Sequence, residues 1–333
     1  MNPHLSLTDV SRVFTRKPDL VDRFVQRLGG KPFPVVRAVD RVTLEVGRGE
    51  ALGLVGESGC GKSTLGRIVS GILPPSSGAV SFDNGARADG RRAHGDRLGI
   101  QMVFQDPMSS LNRRKRIVDI IGEAPVYHGL VARKDKADKV AALMREVGLD
   151  PSYASRFPHQ FSGGQRQRIG IARALAVEPS LLVCDEAVSA LDVSVQAQVL
   201  NLFMDLRERR GLTYLFISHD LGVVKHLTDR VAVMYLGRIV EIGPTQEIFS
   251  RPAHPYTQLL LSEAPRLGRG HKRYRSAASD LPSPLAPPPG CHFHTRCPHA
   301  IPACSRSIPL LTAVGPDRKA ACHLIEQTRK ETP

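Results

Sequence analysis

One nine-residue stretch, Gly56-Glu57-Ser58-Gly59-Cys60-Gly61-Lys62-Ser63-Thr64, constrains this chain more than any other. It follows an apolar, strand-length run, Ala51–Val55, and leads into helical spacing from Lys62 to about Ile72. Strand, glycine-rich loop and helix are the context that a phosphate-binding loop requires. The glycines let backbone N–H groups curl around phosphate oxygens without side-chain clash. The helix N-terminus adds the positive end of its dipole. Lys62 is placed to reach β- and γ-phosphates, and the Ser63 hydroxyl to meet Mg²⁺.

A second segment supplies what such a loop lacks. Leu181-Leu182-Val183-Cys184-Asp185-Glu186 is a buried-strand pattern that ends in two acids. Asp185 suits Mg²⁺ held through its water shell, and Glu186 suits proton abstraction from an attacking water. Further strands are expected at Gly99–Gln105 and Tyr214–Ile217. Helices are expected from Gly163 to about Ala176 and over Val195–Arg209, and residues 115–155 show mostly helical periodicity. Alternation of this kind predicts an α/β fold with a parallel sheet covered by helices. Residues 1–50 read instead as strands, interrupted by a basic, polar insertion at Arg16–Pro34.

Composition excludes several classes. Of the 333 residues, 41% are hydrophobic and 23% charged, an ordinary globular balance. No run approaches the ~18 apolar residues of a membrane span, and the N-terminus lacks a signal-peptide pattern. The expectation is a cytoplasmic protein whose membrane contact is peripheral. The net charge of +14 raises nucleic acid as a partner. The basic clusters Arg113–Arg116 and Arg266–Arg275 contain a single aromatic, Tyr274, and the chain has no Trp, so nucleic acid is not expected.

Phe161-Ser162-Gly163-Gly164-Gln165, with the following Arg166–Leu175, resembles the signature sequence of ABC ATPases, with Phe at its first position. The resemblance implies an ABC-type nucleotide-binding domain over residues 5–250. That domain has a phosphate-loop core with a parallel sheet, an antiparallel β subdomain and a helical subdomain at about 106–178. It implies that the Ser162 hydroxyl, the Gly163 and Gly164 N–H groups and the helix behind them bind the γ-phosphate of ATP held by a partner subunit. By the same resemblance Gln105 is the Q-loop glutamine, contacting Mg²⁺ and water. Ser189–Asp192 is the D-loop, with Asp192 as its acid, and His219 is the switch histidine. Family members often carry Pro after the two acids; here Ala187 stands there, leaving both acids in place. An adenine-stacking aromatic is expected at Phe14 or at Phe33.

Arg251-Pro252-Ala253-His254-Pro255-Tyr256-Thr257-Gln258-Leu259-Leu260 resembles the C-terminal motif of oligopeptide and dipeptide importer ATPases. So do Ser194–Val199 and Gly211–His219. The whole chain resembles the second ATPase of such importers. That implies a homologous ATPase as heterodimer partner, two transmembrane permease subunits, a solute-binding protein, and a place on the cytoplasmic face of the inner membrane. Importers of nickel, glutathione or another small solute in the same subfamily are the alternative. A soluble ABC ATPase acting on nucleic acid is a more distant one.

Residues 251–333 read as an extension, with a Pro-rich linker at Pro282–Pro289 and four cysteines beyond it. Cys291, Cys297, Cys304 and Cys322 are separated by five, six and seventeen residues. Four thiolates suit a [4Fe–4S] cluster or an all-cysteine zinc site, although zinc sites usually contain closely spaced cysteine pairs. The family resemblance implies the iron–sulfur reading; free thiols are the remaining alternative. His292, His294 and His299 read as solvated loop residues. Cys60 and Cys184 read as small buried side chains.

Overall fold

Strands that are apolar at every position must be covered on both faces. All five residues of β3 (Ala51–Val55), β7 (Leu181–Asp185) and β8 (Thr213–Ile217) are buried. A computed structural model describes residues 3–15, 35–82, 85–87, 98–263 and 282–325. The Arg16–Pro34 insertion with Phe33, and the basic run Arg266–Arg275 with Tyr274, lie outside them.

The sheet at the centre has eight strands in the order β11-β12-β10-β9-β3-β8-β7-β6. Its parallel part runs from β9 (Arg230–Tyr235) through β3, β8 and β7 to β6 (Ile100–Val103). β3 therefore has parallel neighbours on both sides, and the loop that follows it opens at the middle of the sheet. β6 is shorter than the expected Gly99–Gln105, which leaves Gln105 in the loop beyond it. β10 (Arg238–Pro244) pairs antiparallel to β9. Two strands from the C-terminal segment, β11 (Thr312–Gly315) and β12 (Arg318–Ala320), continue the same sheet.

A second, antiparallel sheet has the order β2-β1-β4-β5. It comprises β1 (Leu5–Thr15), β2 (Val35–Val46), β4 (Ser77–Phe82) and β5 (Gly85–Arg87). Along β2, Val42, Leu44 and Val46 are buried while Arg41, Thr43 and Glu45 are exposed. This is the period-two alternation of a sheet with one solvated face.

Helix α1 (Lys62–Val69) starts at the phosphate-binding pattern. It ends before the expected Ile72, because Gly71 takes a left-handed φ of 75° and Ile72 turns outward. Four helices form the expected helical part: α2 (Pro107–Ser110), α3 (Ile117–Tyr127), α4 (Lys136–Glu146) and α5 (Gly163–Leu175). Ile117, Ile121, Val140, Leu143, Met144 and Ile171 share one core cluster there. Helix α6 (Val193–Arg210) is tied to α4 by the Arg210–Glu146 ion pair, with Nε to Oε1 at 2.6 Å. The short α7 (Leu221–Leu227) and α8 (Thr245–Ser250) precede α9 (Pro255–Glu263) and, in the cysteine segment, α10 (Pro302–Arg306).

Candidate nucleotide site

The loop after β3 takes its curvature from three glycines with positive φ, Gly56, Gly59 and Gly61. Two of them are fixed by neighbouring chain. A Cβ on Gly56 would lie 2.2 Å from the Met234 carbonyl oxygen, and one on Gly61 would lie 2.0 Å from that of Ala38. Gly59 meets nothing within 4 Å, so it faces open space. Gly61 is the N-cap of α1 and supplies no side chain to its N–H groups, leaving them for an anion.

Lys62 is only 5% exposed. Its Nζ donates to the carbonyl oxygens of Gly56 at 2.7 Å and Glu57 at 3.0 Å, bracing the loop from inside. The Ser63 hydroxyl donates to Asp185 Oδ1 at 2.8 Å, so the two expected Mg²⁺-side groups meet across the site. Burial pushes the Asp185 carboxyl above its ordinary value, and the Ser63 hydrogen bond opposes that shift. Burial likewise raises the Cys60 and Cys184 thiols, consistent with inert side chains.

Glu186 follows β7 with a left-handed φ of 49° and donates its N–H to the Ile217 carbonyl at 2.9 Å. Two side chains converge on its carboxylate. Gln105 Nε2 donates to Glu186 Oε2 at 2.8 Å and to the Ser189 hydroxyl at 3.3 Å. His219 Nδ1 lies 3.4 Å from the same Glu186 oxygen. A water held here would find a carboxylate base, an orienting amide and an imidazole within reach.

A cleft of about 420 Å³ opens on part of this set; Asp185, Ser189 and His219 do not line it. Ser58, Gly59, Cys60, Gly61, Lys62, Ser63, Thr64, Gln105 and Glu186 line it. So do Val36, Arg37 and Ala38 of β2, Leu236 and Gly237 of the β9–β10 turn, and Pro284. Sequence reasoning singled out none of these last six. Phe14 does not line the cleft. It is 40% exposed, its ring covered by the Arg12 guanidinium at 4.9 Å, and its strand partner is the lining residue Val36.

The signature Phe161–Gln165 stands apart; none of its residues lines that cleft. Phe161 is buried against the Tyr153 ring. Ser162 caps α5, accepting from Gln165 N–H at 3.3 Å while its own N–H donates to Gln165 Oε1 at 3.0 Å. Gln165 is thus committed to a capping box. Gly164 is required by packing, since a Cβ there would meet Val195 Cγ1 of α6 at 2.3 Å. Gly163 is half-buried, and a Cβ there would meet only Leu191, at 3.8 Å. Asp192 is exposed at the start of α6.

The C-terminal segment reaches the site in a way no local pattern announced. Glu241, fully buried on β10, accepts from the N–H groups of Ala253 and His254, both at 2.9 Å, and from Arg318 Nη2 at 2.7 Å. His254 Nδ1 then accepts from Tyr256 N–H at 3.0 Å. Burial lowers His254 to about 4, so the ring is neutral and serves as an acceptor. This is the physical content of the His-Pro-Tyr motif: it fixes the start of α9 and aims Tyr256 at the phosphate loop. The Glu57 N–H donates to the Tyr256 hydroxyl at 2.9 Å. Arg296 forms a bidentate pair with the Glu57 carboxylate, at 2.9 and 3.0 Å.

Cys304 and Cys322 are buried, Cys291 and Cys297 are half-buried, and no disulfide joins them. Burial, with a smaller contribution from the three neighbouring thiols, pushes Cys291 up to about 11. Cys297 is raised by burial and by Cys322 and Cys304. The four sulfurs thus feel one another electrostatically. Even so, among the described residues no three His, Cys, Asp or Glu side chains converge as a metal site.

Comparison with known proteins gives the family and the fold. Residues 39–189 match the family described as ABC transporter. Residues 240–304 match the C-terminal region of the oligopeptide/dipeptide transporter family. The ATP-binding cassette MJ0796, in a dimeric post-hydrolysis state with ADP and Pi, superposes with a TM-score of 0.61 at 23% identity; the match covers 72% of this chain and 98% of that one. The cbiO1 protein of Clostridium perfringens does so with a TM-score of 0.61 at 25% identity, covering 75% and 92%. The chain belongs to the ATP-hydrolysing, ATP-binding proteins of ABC transporters. Within them it is 48% identical to the oligopeptide transport ATP-binding protein AppF of Bacillus subtilis, over 96% of this chain and 97% of that protein. It is 50% identical to the oligopeptide transport ATP-binding protein OppF of Salmonella typhimurium, over 84% and 86%.

Proposed function

We propose that this chain is the subunit that powers an importer of oligopeptides or dipeptides, bound to two permease subunits at the cytoplasmic face of the membrane. The observation that carries the ATPase half is the convergence of Gln105 and His219 on Glu186 beside the phosphate loop. The peptide half is supported by the match of residues 240–304 and by the AppF and OppF relatives. No helix among the described residues is long and apolar enough to cross a membrane, which suits a peripheral subunit.

In this reading ATP sits against Gly56–Thr64, with Lys62 at the β/γ-phosphates and Mg²⁺ near Ser63, Gln105 and Asp185. These oxygen donors suit a hard cation. Phe14 lies one strand away from the lining residue Val36 and is the adenine platform in this proposal. The face carrying Ser162 and Gly163, separate from the cleft, meets the nucleotide of a second, homologous ATPase, with Asp192 beside it. Closure of the two draws the permeases together. Glu186 takes the proton of the attacking water, Gln105 orients it, and His219 steadies the γ-phosphate.

The test is uptake of labelled di- and oligopeptides into vesicles carrying the chain with its permeases, the second ATPase and the binding protein. ATP-dependent uptake that stops with a Lys62→Ala chain is the expected result. Peptide-independent uptake of nickel or glutathione would replace the peptide reading.

Among the described residues the cysteine side chains do not converge as a metal site, so the [4Fe–4S] cluster we propose on Cys291, Cys297, Cys304 and Cys322 rests on the soft-donor chemistry of four thiols and the family resemblance alone. Bound, it would supply a cross-link between four points of a segment with a small core. Anaerobic purification with iron, zinc and acid-labile sulfide analysis checks this. Iron-free, colourless protein would remove the cluster, and zinc would replace it.

A further inference from the structure

The phosphate loop carries one acid of its own, Glu57, and a carboxylate beside a triphosphate repels it. The C-terminal segment answers that charge. Arg296 lies 239 residues away in sequence, and its Nη1 and Nη2 grip the two Glu57 oxygens at 2.9 and 3.0 Å. The Arg296 side chain is 6% exposed and that of Glu57 20%, so the pair is largely shielded from water. Burial works against the guanidinium charge, but the hydrogen bonds to Glu57 and Tyr235 outweigh it and raise the pKa. Its Nε has no partner among the described residues, so the group is oriented toward the loop at the cost of one unmet donor.

Arg296 is itself held firmly. Its N–H donates to the Phe293 carbonyl at 3.0 Å, in a turn between Cys291 and Cys297, and Cys291 N–H donates to the Cys304 carbonyl at 2.8 Å. The guanidinium lies over the rings of Tyr235 and Phe293, 5.9 and 5.8 Å from their centres. Tyr256, packed 4.5 Å from Tyr235 by ring centres, accepts the Glu57 N–H. Pro284 of the same segment lines the cleft.

We infer that the C-terminal segment is part of the nucleotide site, with Arg296 as a positioning residue that neutralises and holds Glu57, so that ATP affinity depends on the folding of the cysteine turn. This rests on the ATPase reading above and on neither the transported solute nor the metal content. A bidentate, shielded pair resists both salt and substitution by lysine.

The test measures binding of a fluorescent ATP analogue and steady-state hydrolysis on the full chain. Arg296→Ala should weaken binding about tenfold while kcat at saturating ATP stays within about twofold. Glu57→Gln in the Arg296→Ala background should restore affinity to within about threefold, because the unpaired carboxylate is gone. Arg296→Lys should fall between wild type and Arg296→Gln. Cys322→Ser should weaken binding in the wild-type background and add little to Arg296→Ala. Unchanged affinity in Arg296→Ala would overturn the inference. So would equal affinities for Arg296→Lys and Arg296→Gln, which remain informative if the alanine variant fails to fold. A wild-type chain that binds no ATP would sink the ATPase reading instead.

Discussion

The Gln105 amide donates to the Glu186 carboxylate at 2.8 Å, joining the loop after β6 to the acid that follows β7. A glutamine at position 186 can keep a hydrogen bond to Gln105 but cannot take a proton. Glu186→Gln is therefore expected to bind ATP within about threefold of wild type and to lose about a hundredfold or more in kcat. Phosphate release under saturating ATP measures it, and near-normal turnover would remove Glu186 from the base role.

The two signature glycines should separate stability from catalysis. Gly164→Ala drives a methyl group into Val195 and should cost about 1–3 kcal/mol in urea unfolding. Gly163→Ala meets Leu191 at an ordinary contact distance, so stability should hold. Its hydrolysis should drop at least about tenfold wherever two ATPase chains close on nucleotide. Wild-type hydrolysis by assembled Gly163→Ala would count against a role for this face at a partner's site.

Arg318 and Glu241 form a buried ion pair, with side chains 9% and 0% exposed. Removing one partner leaves a buried charge. Arg318→Ala should destabilise the protein by about 3 kcal/mol, read as a lower urea midpoint. Glu241 keeps its two backbone donors, so the carboxylate is not wholly abandoned.

His254 gives stability a defined pH dependence. Its folded value of about 4 lies below the ordinary 6.5, so the unfolded chain binds the proton first. The contribution is whole above about pH 6.5 and drains away as pH falls toward about 4. Urea midpoints across that range should fall less steeply for His254→Asn than for wild type. Parallel slopes would show that other groups set the acid limb.

What was legible in the sequence was what lies close together along the chain. The loop at Gly56–Thr64 and the acids after Leu181–Cys184 each declare themselves within ten residues, because one strand and its following turn build them. Gln105 and His219 were placed through the family resemblance, and the sheet order brings both to Glu186. Glu57–Arg296 and Glu241–Arg318 left no local trace, because each partner alone looks like an ordinary charge. The one available hint was Glu241 itself, a lone acid in the apolar run Ile239–Ile242 that demanded a cation from elsewhere. The extension also reads differently in three dimensions: residues 312–320 complete the central sheet, and Pro284 borders the nucleotide cleft.

The pairing of β12 with β10 has a further consequence. β10 is buried over five of its seven residues, and without its neighbour it would offer a long row of bare N–H and C=O groups to any passing chain. The C-terminal strands cover that edge at Glu241 and Ile242 and leave outermost β11, four residues long and without a buried residue, a poor template for self-association. The same segment that grips the phosphate loop thus also shields part of the sheet from pairing with another chain.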